Sequence, residues 1–178
     1  MISITGTAHR SFIFPSDLPT TFEYYNDVGR MFHFLPHISL LQQFAVNQYR
    51  MLYNTTELGI YQVRVICDLQ AESDRKTWAL RFSPLKDARE VQSDAGMYML
   101  TGYGYFNIES LFFEEGKTTR IEYHLKLRAN LPIPHGLRLV PRRVTQTIAR
   151  SITQWRIDEI IAGFIERSVR VFETKTAT

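Results

Sequence analysis

The chain has a single cysteine, Cys67, among its 178 residues. One cysteine cannot form an internal disulfide, so the sequence favours a reducing compartment such as the cytoplasm. Long apolar runs are also missing, and none approaches the roughly 18 residues that a membrane-spanning helix requires. Residues 1–6 lack a basic region followed by an apolar run, so we expect no signal peptide. The sequence therefore predicts a cytoplasmic protein that meets a membrane, if at all, only at its surface.

Recognisable catalytic motifs are absent as well. The sequence has no Ser/His/Asp signature, no His-Glu-x-x-His and no phosphate-binding glycine loop. His33 and His37 are four residues apart, but Pro36 ends the helix that would align them on a metal ion. We therefore predict no catalytic residue, no metal site and no cofactor.

A large excess of one charge is lacking too, because the net charge is only +3. Since no nucleic-acid-binding motif is present, this balance argues against a nucleic-acid partner. Apolar residues, by contrast, are plentiful. Hydrophobic residues make up 44% of the chain and aromatic residues 13%, which suits strands and an apolar pocket. Length and composition together predict one domain over residues 1–178.

Alternating apolar and polar residues predict the strands of an antiparallel sheet with one covered face. The clearest alternation runs over 57–71 and over 118–130. Further strands are predicted over 2–14, 78–82 and 102–113. These strands, joined by short turns and by a longer loop before the last hairpin, predict a meander.

Helices are predicted at the two ends of this sheet. Two short helices follow the first strand. The first begins at Ser16-Asp17-Leu18-Pro19, where a capping residue precedes an early proline, and the second runs over 30–34. A long loop is predicted over 84–100. A long C-terminal helix is predicted over 139–172. The predicted fold is therefore α+β, with a curved antiparallel sheet of about six to seven strands around the C-terminal helix.

The facing of the strand over 102–113 depends on the register of the hairpin that follows it. If Phe113 pairs with Thr118, Asn107 and Glu109 point away from the core. A slip of one residue turns both polar side chains inward, where they could anchor a ligand or act as a catalytic pair. We prefer the first register, because it leaves no buried carboxylate without a partner.

The C-terminal helix changes its apolar face along its length. Its first half carries Val144, Ile148, Ile152 and Trp155 on one side, whereas the apolar stripe after Ile157 lies on the opposite side. This change predicts either a kink near Trp155 or a different packing partner for the first half.

Residues 137–157 contain five arginines and no acidic residue. A basic helix with apolar residues opposite has the composition of an interfacial membrane helix. We predict that Arg142, Arg143 and Arg150 face an anionic membrane surface. The alternative is a solvated face whose arginines pair with acids elsewhere in the chain, such as Glu122 or Glu114.

Five stretches carry a resemblance to known proteins: FLPHIS (34–39), TTELG (55–59), TRIEY (119–123), IARSITQWRI (148–157) and FIERS (164–168). In these stretches the chain resembles the START-like superfamily of polyketide cyclases and lipid-transport proteins (SRPBCC). Within it, the chain is most similar to a START-like family of oxygenic phototrophs that has no assigned chemistry. The resemblance implies a helix-grip cavity between sheet and last helix, of the kind used for lipids, quinones, pigments or polyketides.

We predict that the protein binds or transports an apolar ligand, namely a lipid, quinone, isoprenoid or pigment, without catalysis. One alternative is an assembly or scaffold protein that meets a protein partner through exposed aromatics such as Tyr98 and Tyr103. Another is a cyclase- or hydrolase-type enzyme. The predicted ligand-binding residues are the inward-facing ones of the strands and of the first half of the helix: Tyr61, Val63, Val65, Trp78, Leu80, Phe82, Phe106, Ile108, Tyr123, Ile152 and Trp155.

Overall fold

The computed structural model describes residues 1–86 and 93–176. Part of the predicted loop over 84–100 therefore lies outside the described residues. The elements in chain order are β1 (Ile2–Phe14), α1 (Leu18–Asn26), α2 (Val28–Phe32), β2 (Ile38–Ala45), β3 (Gln48–Glu57), β4 (Tyr61–Asp74), β5 (Ala79–Pro84), β6 (Asp94–Ala95), β7 (Met99–Glu115), β8 (Thr118–Leu131) and α3 (Arg142–Thr176).

The strands form one curved sheet in the order β1-β8-β7-β5-β4-β3-β2. The two-residue strand β6 pairs with β7, and β7 also meets β4 in a parallel pairing. The meander predicted from the sequence holds from β2 to β5. The first strand β1 instead closes the far side of the sheet beside β8. The predicted α+β fold is confirmed: two short helices follow β1 and one long helix ends the chain.

Helix α1 begins where the sequence signals predict. Asp17 is its N-cap and accepts a hydrogen bond from the Thr20 backbone N–H at 3.0 Å, which lowers the pKa of the Asp17 carboxyl. Helix α2 differs from the prediction, because Asp27 caps it and it starts at Val28 and ends at Phe32. Both helices therefore end before Pro36, a residue that would interrupt them.

The strand predicted over 57–71 begins too early. Leu58 and Gly59 have φ angles of 51° and 74°, so the chain turns there and β4 starts at Tyr61. Asp68 belongs to the polar positions of the alternation over 57–71, which predicts a solvated side chain, but it is buried. Arg50 Nε and Nη2 each donate a hydrogen bond to one of its carboxylate oxygens at 2.7 Å. This bidentate pair joins β3 to β4 on the outer face of the sheet.

The β7–β8 hairpin has a register two residues away from the predicted one. Phe113 pairs with Arg120 rather than with Thr118, because the turn is formed by the two residues between Glu115 and Thr118. A two-residue shift leaves each side chain on the same face of the sheet. Asn107 and Glu109 therefore point outward, as the preferred register predicts.

The two halves of α3 have different surroundings. In the second half, the buried residues Ile157, Ile161, Phe164 and Ser168 follow helical spacing and pack against the sheet and α1. The Tyr24 hydroxyl of α1 donates a hydrogen bond to the Ser168 carbonyl at 2.9 Å. The first half buries only one residue, a threonine, and lies over an open space. Val144, Ile148 and Trp155 on the apolar side of the first half are exposed, so the change of apolar face marks the point where α3 leaves the packed core.

Among the described residues, no helix is both long enough and apolar enough to cross a membrane.

Candidate ligand-binding cavity

A cavity of about 280 Å³ lies between the inner face of the sheet and the first half of α3. Side chains from β1, β3, β4, β7 and β8 form its walls, together with α3 and the segment before it. Nearly all of these side chains are apolar. The volume is close to the lower end of the range for small-molecule sites.

Seven of the eleven predicted ligand-binding residues border this cavity. The alternation of β4 brings in three of them, that of β7 and β8 brings in three more, and α3 supplies one. They are Tyr61, Val63, Val65, Phe106, Ile108, Tyr123 and Ile152.

The other four predicted residues lie elsewhere. Leu80 and Phe82 border a second, smaller space of about 60 Å³. Trp78 has a φ of 47°, so it falls outside the alternation of β5 and packs edge-on against Phe22. Trp155 is 58% exposed, because the side of α3 that faces the cavity runs through Ile152 instead.

Several residues that border the cavity were not predicted from the sequence. Helix α3 contributes Thr145, Ala149, Thr153 and Arg156, a stripe of small and polar residues. Their helical spacing is visible in the sequence, but the pattern of apolar residues favoured the neighbouring stripe, which includes Trp155. The sequence predicts β1 as a strand without assigning it a role in the site, and its residue Ile4 forms part of the cavity wall.

One ion pair borders the cavity. Arg156 Nε donates to Glu57 Oε1 at 2.8 Å and Nη2 donates to Oε2 at 3.3 Å. Arg156 Nη1 also donates to Glu159 at 2.5 Å, and the Tyr53 hydroxyl donates to Glu57 at 3.0 Å. The hydrogen bonds to Glu57 raise the pKa of Arg156, and Arg156 in turn lowers the pKa of Glu159. The charges at this wall are therefore compensated.

Exposed apolar side chains lie at the cavity and on the neighbouring stretch of chain before and within α3. Leu58 and Ile148 border the cavity and are 59% and 44% exposed. Leu139 is 97% exposed, and Val144 is 47% exposed on the same part of the chain. Such a group of exposed apolar residues is characteristic of a surface that meets another apolar phase.

The cations predicted to face a membrane lie in the same half of α3 as Val144 and Ile148. Arg142, Arg143 and Arg150 are exposed, and none forms an ion pair with any residue in the part of the chain that the structure describes. Glu122, one of the partners considered in the alternative, is paired with Arg120 instead. The basic side of the helix is thus available to an anionic surface.

The single thiol also borders the cavity. Cys67 is 3% exposed, and burial raises its pKa to about 12. At neutral pH the sulfur is protonated, so it acts as a small apolar wall group and not as a nucleophile.

The polar pair considered for catalysis does not reach the cavity. Asn107 and Glu109 lie on the outer face of β7, and Glu109 accepts a hydrogen bond from Arg81 Nε at 2.8 Å. The enzyme alternative therefore loses the two residues on which it was based.

One group of side chains on the outer face has the composition of a metal site. The ligand atoms of His9, Glu122 and His124 lie within 4.8 Å of one another. The two imidazole rings are stacked, however, with centroids 4.2 Å apart and planes 11° from parallel. A metal ion binds in the plane of an imidazole at about 2.0–2.1 Å, so one ion cannot meet both rings in this arrangement.

Comparisons with known proteins identify the fold. No protein-family model matches the chain, and no curated protein matches it either. Solved structures do match. The Zhui aromatase/cyclase from Streptomyces sp. R1128 has a TM-score of 0.59 at 11% identity, over 97% of this chain and 96% of that one.

Two further structures agree. A conserved protein from Geobacillus kaustophilus gives a TM-score of 0.58 at 8% identity, over 94% of this chain and 95% of that one. The protein TTHA0849 from Thermus thermophilus gives 0.52 at 17% identity, over 93% and 98%. At such identities the likeness is one of fold. The chain has the helix-grip fold of these structures, with the last helix held by the sheet and a cavity between them.

Proposed function

We propose that the protein binds an apolar ligand (a lipid, quinone, isoprenoid or pigment) in this cavity and carries it without chemical change. The cavity of about 280 Å³ with its apolar walls is the observation that supports this proposal. Protein interiors are normally close-packed, and wall atoms next to unfilled space lose van der Waals contacts. A bound apolar molecule would restore those contacts.

The polar groups of the site favour binding over catalysis. A catalytic site needs groups that are free to take or give a proton or to attack a substrate. Glu57 and Arg156 are already engaged with each other, and the Cys67 thiol is protonated. We further propose that the chain belongs to the START-like family of oxygenic phototrophs, for which the five resembling sequence stretches are the support.

A scaffold role has less support. Tyr98 is 55% exposed, but its ring lies near that of Tyr61 at the cavity, with centroids 6.4 Å apart. Tyr103 uses its hydroxyl to accept a hydrogen bond from the Asp68 backbone N–H. These aromatics therefore serve the fold and the cavity opening.

Native mass spectrometry of the protein isolated from its own host tests the binding proposal. We expect a mass above that of the polypeptide, and we expect organic extraction to release an apolar compound and to return the polypeptide mass. A protein that is consistently empty, even when purified without detergent, would contradict the proposal. A stoichiometric protein partner with no small molecule would favour the scaffold role instead.

We also propose that the opening of the cavity rests on an anionic membrane surface. The exposed apolar residues around the opening would enter the interface while Arg142, Arg143 and Arg150 meet the headgroups. An apolar ligand could then move between bilayer and cavity without crossing water. The attachment would be reversible and salt-sensitive, because screening acts over a Debye length of about 10 Å at 0.1 M salt.

Liposome flotation checks the membrane proposal. Each arginine near an anionic surface contributes about 1 kcal/mol, so changing Arg142, Arg143 and Arg150 to Gln should weaken binding on the order of a hundredfold. A matched control changes Lys117, Lys126 and Arg128 to Gln. Lys117 is exposed in the turn between β7 and β8, Lys126 and Arg128 are exposed on β8, none of the three borders the cavity, and the net charge changes equally. Equal flotation of the two triple variants, or no flotation of the wild type, would refute the membrane role.

A further inference from the structure

Two buried hydroxyl groups occupy neighbouring strands at the same level of the sheet. Ser110 of β7 and Tyr123 of β8 are register partners, and each is only 7% exposed. Neither side chain forms a hydrogen bond with any residue in the ranges 1–86 and 93–176. Such burial is unfavourable unless another group supplies the missing hydrogen bond.

The Tyr123 hydroxyl borders empty space. Over the described chain, every side-chain nitrogen or oxygen that its neighbours seal off has a hydrogen-bond partner. Tyr123 has none, so its oxygen is not sealed. The spaces that Tyr123 borders are the cavity and the smaller chamber of about 60 Å³, and Ser110 borders that chamber too.

The chamber continues the cavity inward. Leu35, Met51, Phe106, Ile108 and Tyr123 border both spaces. The remaining walls of the chamber come from α1, α2, the middle of the sheet and the second half of α3, whereas the exposed Leu58 and Ile148 border only the cavity. The two hydroxyls therefore lie toward the closed end of the site.

Neither space contains an uncompensated charge. Among the described residues, Glu57 and Arg156 are the only charged side chains that border the cavity, and no charged side chain borders the chamber. Because Glu57 and Arg156 pair with each other, a ligand carboxylate or phosphate would find no free cation. Burial of an unpaired anion is strongly unfavourable.

We propose that the ligand is uncharged and carries a carbonyl or hydroxyl group at its inner end, where it hydrogen-bonds to Tyr123 beside Ser110. Its apolar remainder extends toward the opening. This inference rests on the proposed function and specifies its ligand class. A phenol donates to a carbonyl and both donates to and accepts from an alcohol. Burial raises the pKa of Tyr123, so the phenol keeps its proton.

A series of ten-carbon probes tests the head group separately from the tail. Decane, 1-decanol, 2-decanone and decanoate compete at pH 8 with the neutral dye Nile red for the full chain. We expect decanoate to bind at least about tenfold more weakly than decanol, since its charge has no partner in the site.

Variants of the two hydroxyls locate the anchor. Tyr123→Phe should lower the affinity for 2-decanone about three- to tenfold, the effect of one hydrogen bond, and should leave decane within about twofold. Ser110→Ala should act in the same direction. Tyr105→Phe is the matched control, because it removes the same hydroxyl from a side chain that is 44% exposed.

The outcomes separate the two proposals. Equal binding of decanoate and decanol overturns the uncharged ligand. A ketone affinity that Tyr123→Phe leaves unchanged overturns the anchor and means that only water meets these hydroxyls. In both cases, binding of decane would still support the proposed apolar binding site. If neither decane nor Nile red binds, the proposed function fails, and this inference fails with it.

Discussion

Replacement of Ala149 by tryptophan is expected to weaken ligand binding at least about tenfold while the protein stays folded. Ala149 lies in the first half of α3 and borders the cavity, so the indole would occupy the space that we assign to the ligand. Filling an existing space is tolerated far better than inserting a group into a packed core, where overpacking costs about 1–3 kcal/mol. We therefore expect at least about a tenfold loss of affinity with a modest change in thermal stability.

The same substitution at Ala162 is the matched control. Ala162 lies on the same helix and is exposed, so its indole would project into solvent. Nile red titration and native mass spectrometry of both variants give the comparison. Wild-type affinity in Ala149→Trp would mean that the ligand binds outside the cavity, and equal losses in both variants would point to a general effect on α3.

Replacement of Arg156 by methionine is expected to cause a large loss of stability. The substitution leaves Glu57, only 9% exposed, without its cation at an apolar wall. Removing one partner of a buried ion pair costs roughly 3–5 kcal/mol because it leaves an uncompensated buried charge, and the second substitution Glu57→Gln removes that charge. We therefore expect Arg156→Met to lower the free energy of unfolding by that amount, and Glu57→Gln in the same chain to restore most of it.

Arg10→Met provides the comparison for this loss. Arg10 also joins the sheet to α3, through Asp158 at 2.6 Å, but its side chain and that of Asp158 are 44% and 41% exposed. Exposed pairs of this kind contribute about 0–1 kcal/mol. Urea denaturation of the variants measures the difference. If Arg156→Met costs no more than Arg10→Met, the pair at the cavity wall has no special role in stability.

The fold was predictable because its main signals are local. The alternation around Val63 and Val65, the cap at Asp17 and the long helical period each need only neighbouring residues. The errors occur where one residue departs from its local pattern. Leu58 turns the chain inside an apparent strand, and Trp78 leaves the alternation through a positive φ angle. Left-handed backbone positions at residues other than glycine cannot be predicted from a single sequence.

The site was predictable only in part, because its polar features depend on pairs that are distant in sequence. Glu57 and Arg156 are 99 positions apart, and in the sequence Arg156 is indistinguishable from the other arginines of a basic segment. The helical period alone did not distinguish the stripe of α3 that faces the cavity from the stripe beside it. Ile152, which borders the cavity, was therefore assigned to the wall together with the exposed Trp155. The facing of Asn107 was predictable because a two-residue error in register conserves it.

The pairing of β1 with β8 has a consequence for how the chain folds during its synthesis. The first strand finds its partner, from Ile2 opposite Leu131 to Phe14 opposite Thr119, only after the last strand has been made. At about 5–20 residues per second, the ribosome needs roughly 5–20 s between these strands. During that interval β1 is an unpaired strand, and its long-range pairing belongs to the slow class of folding events. We expect the nascent chain to need protection from aggregation until β8 emerges.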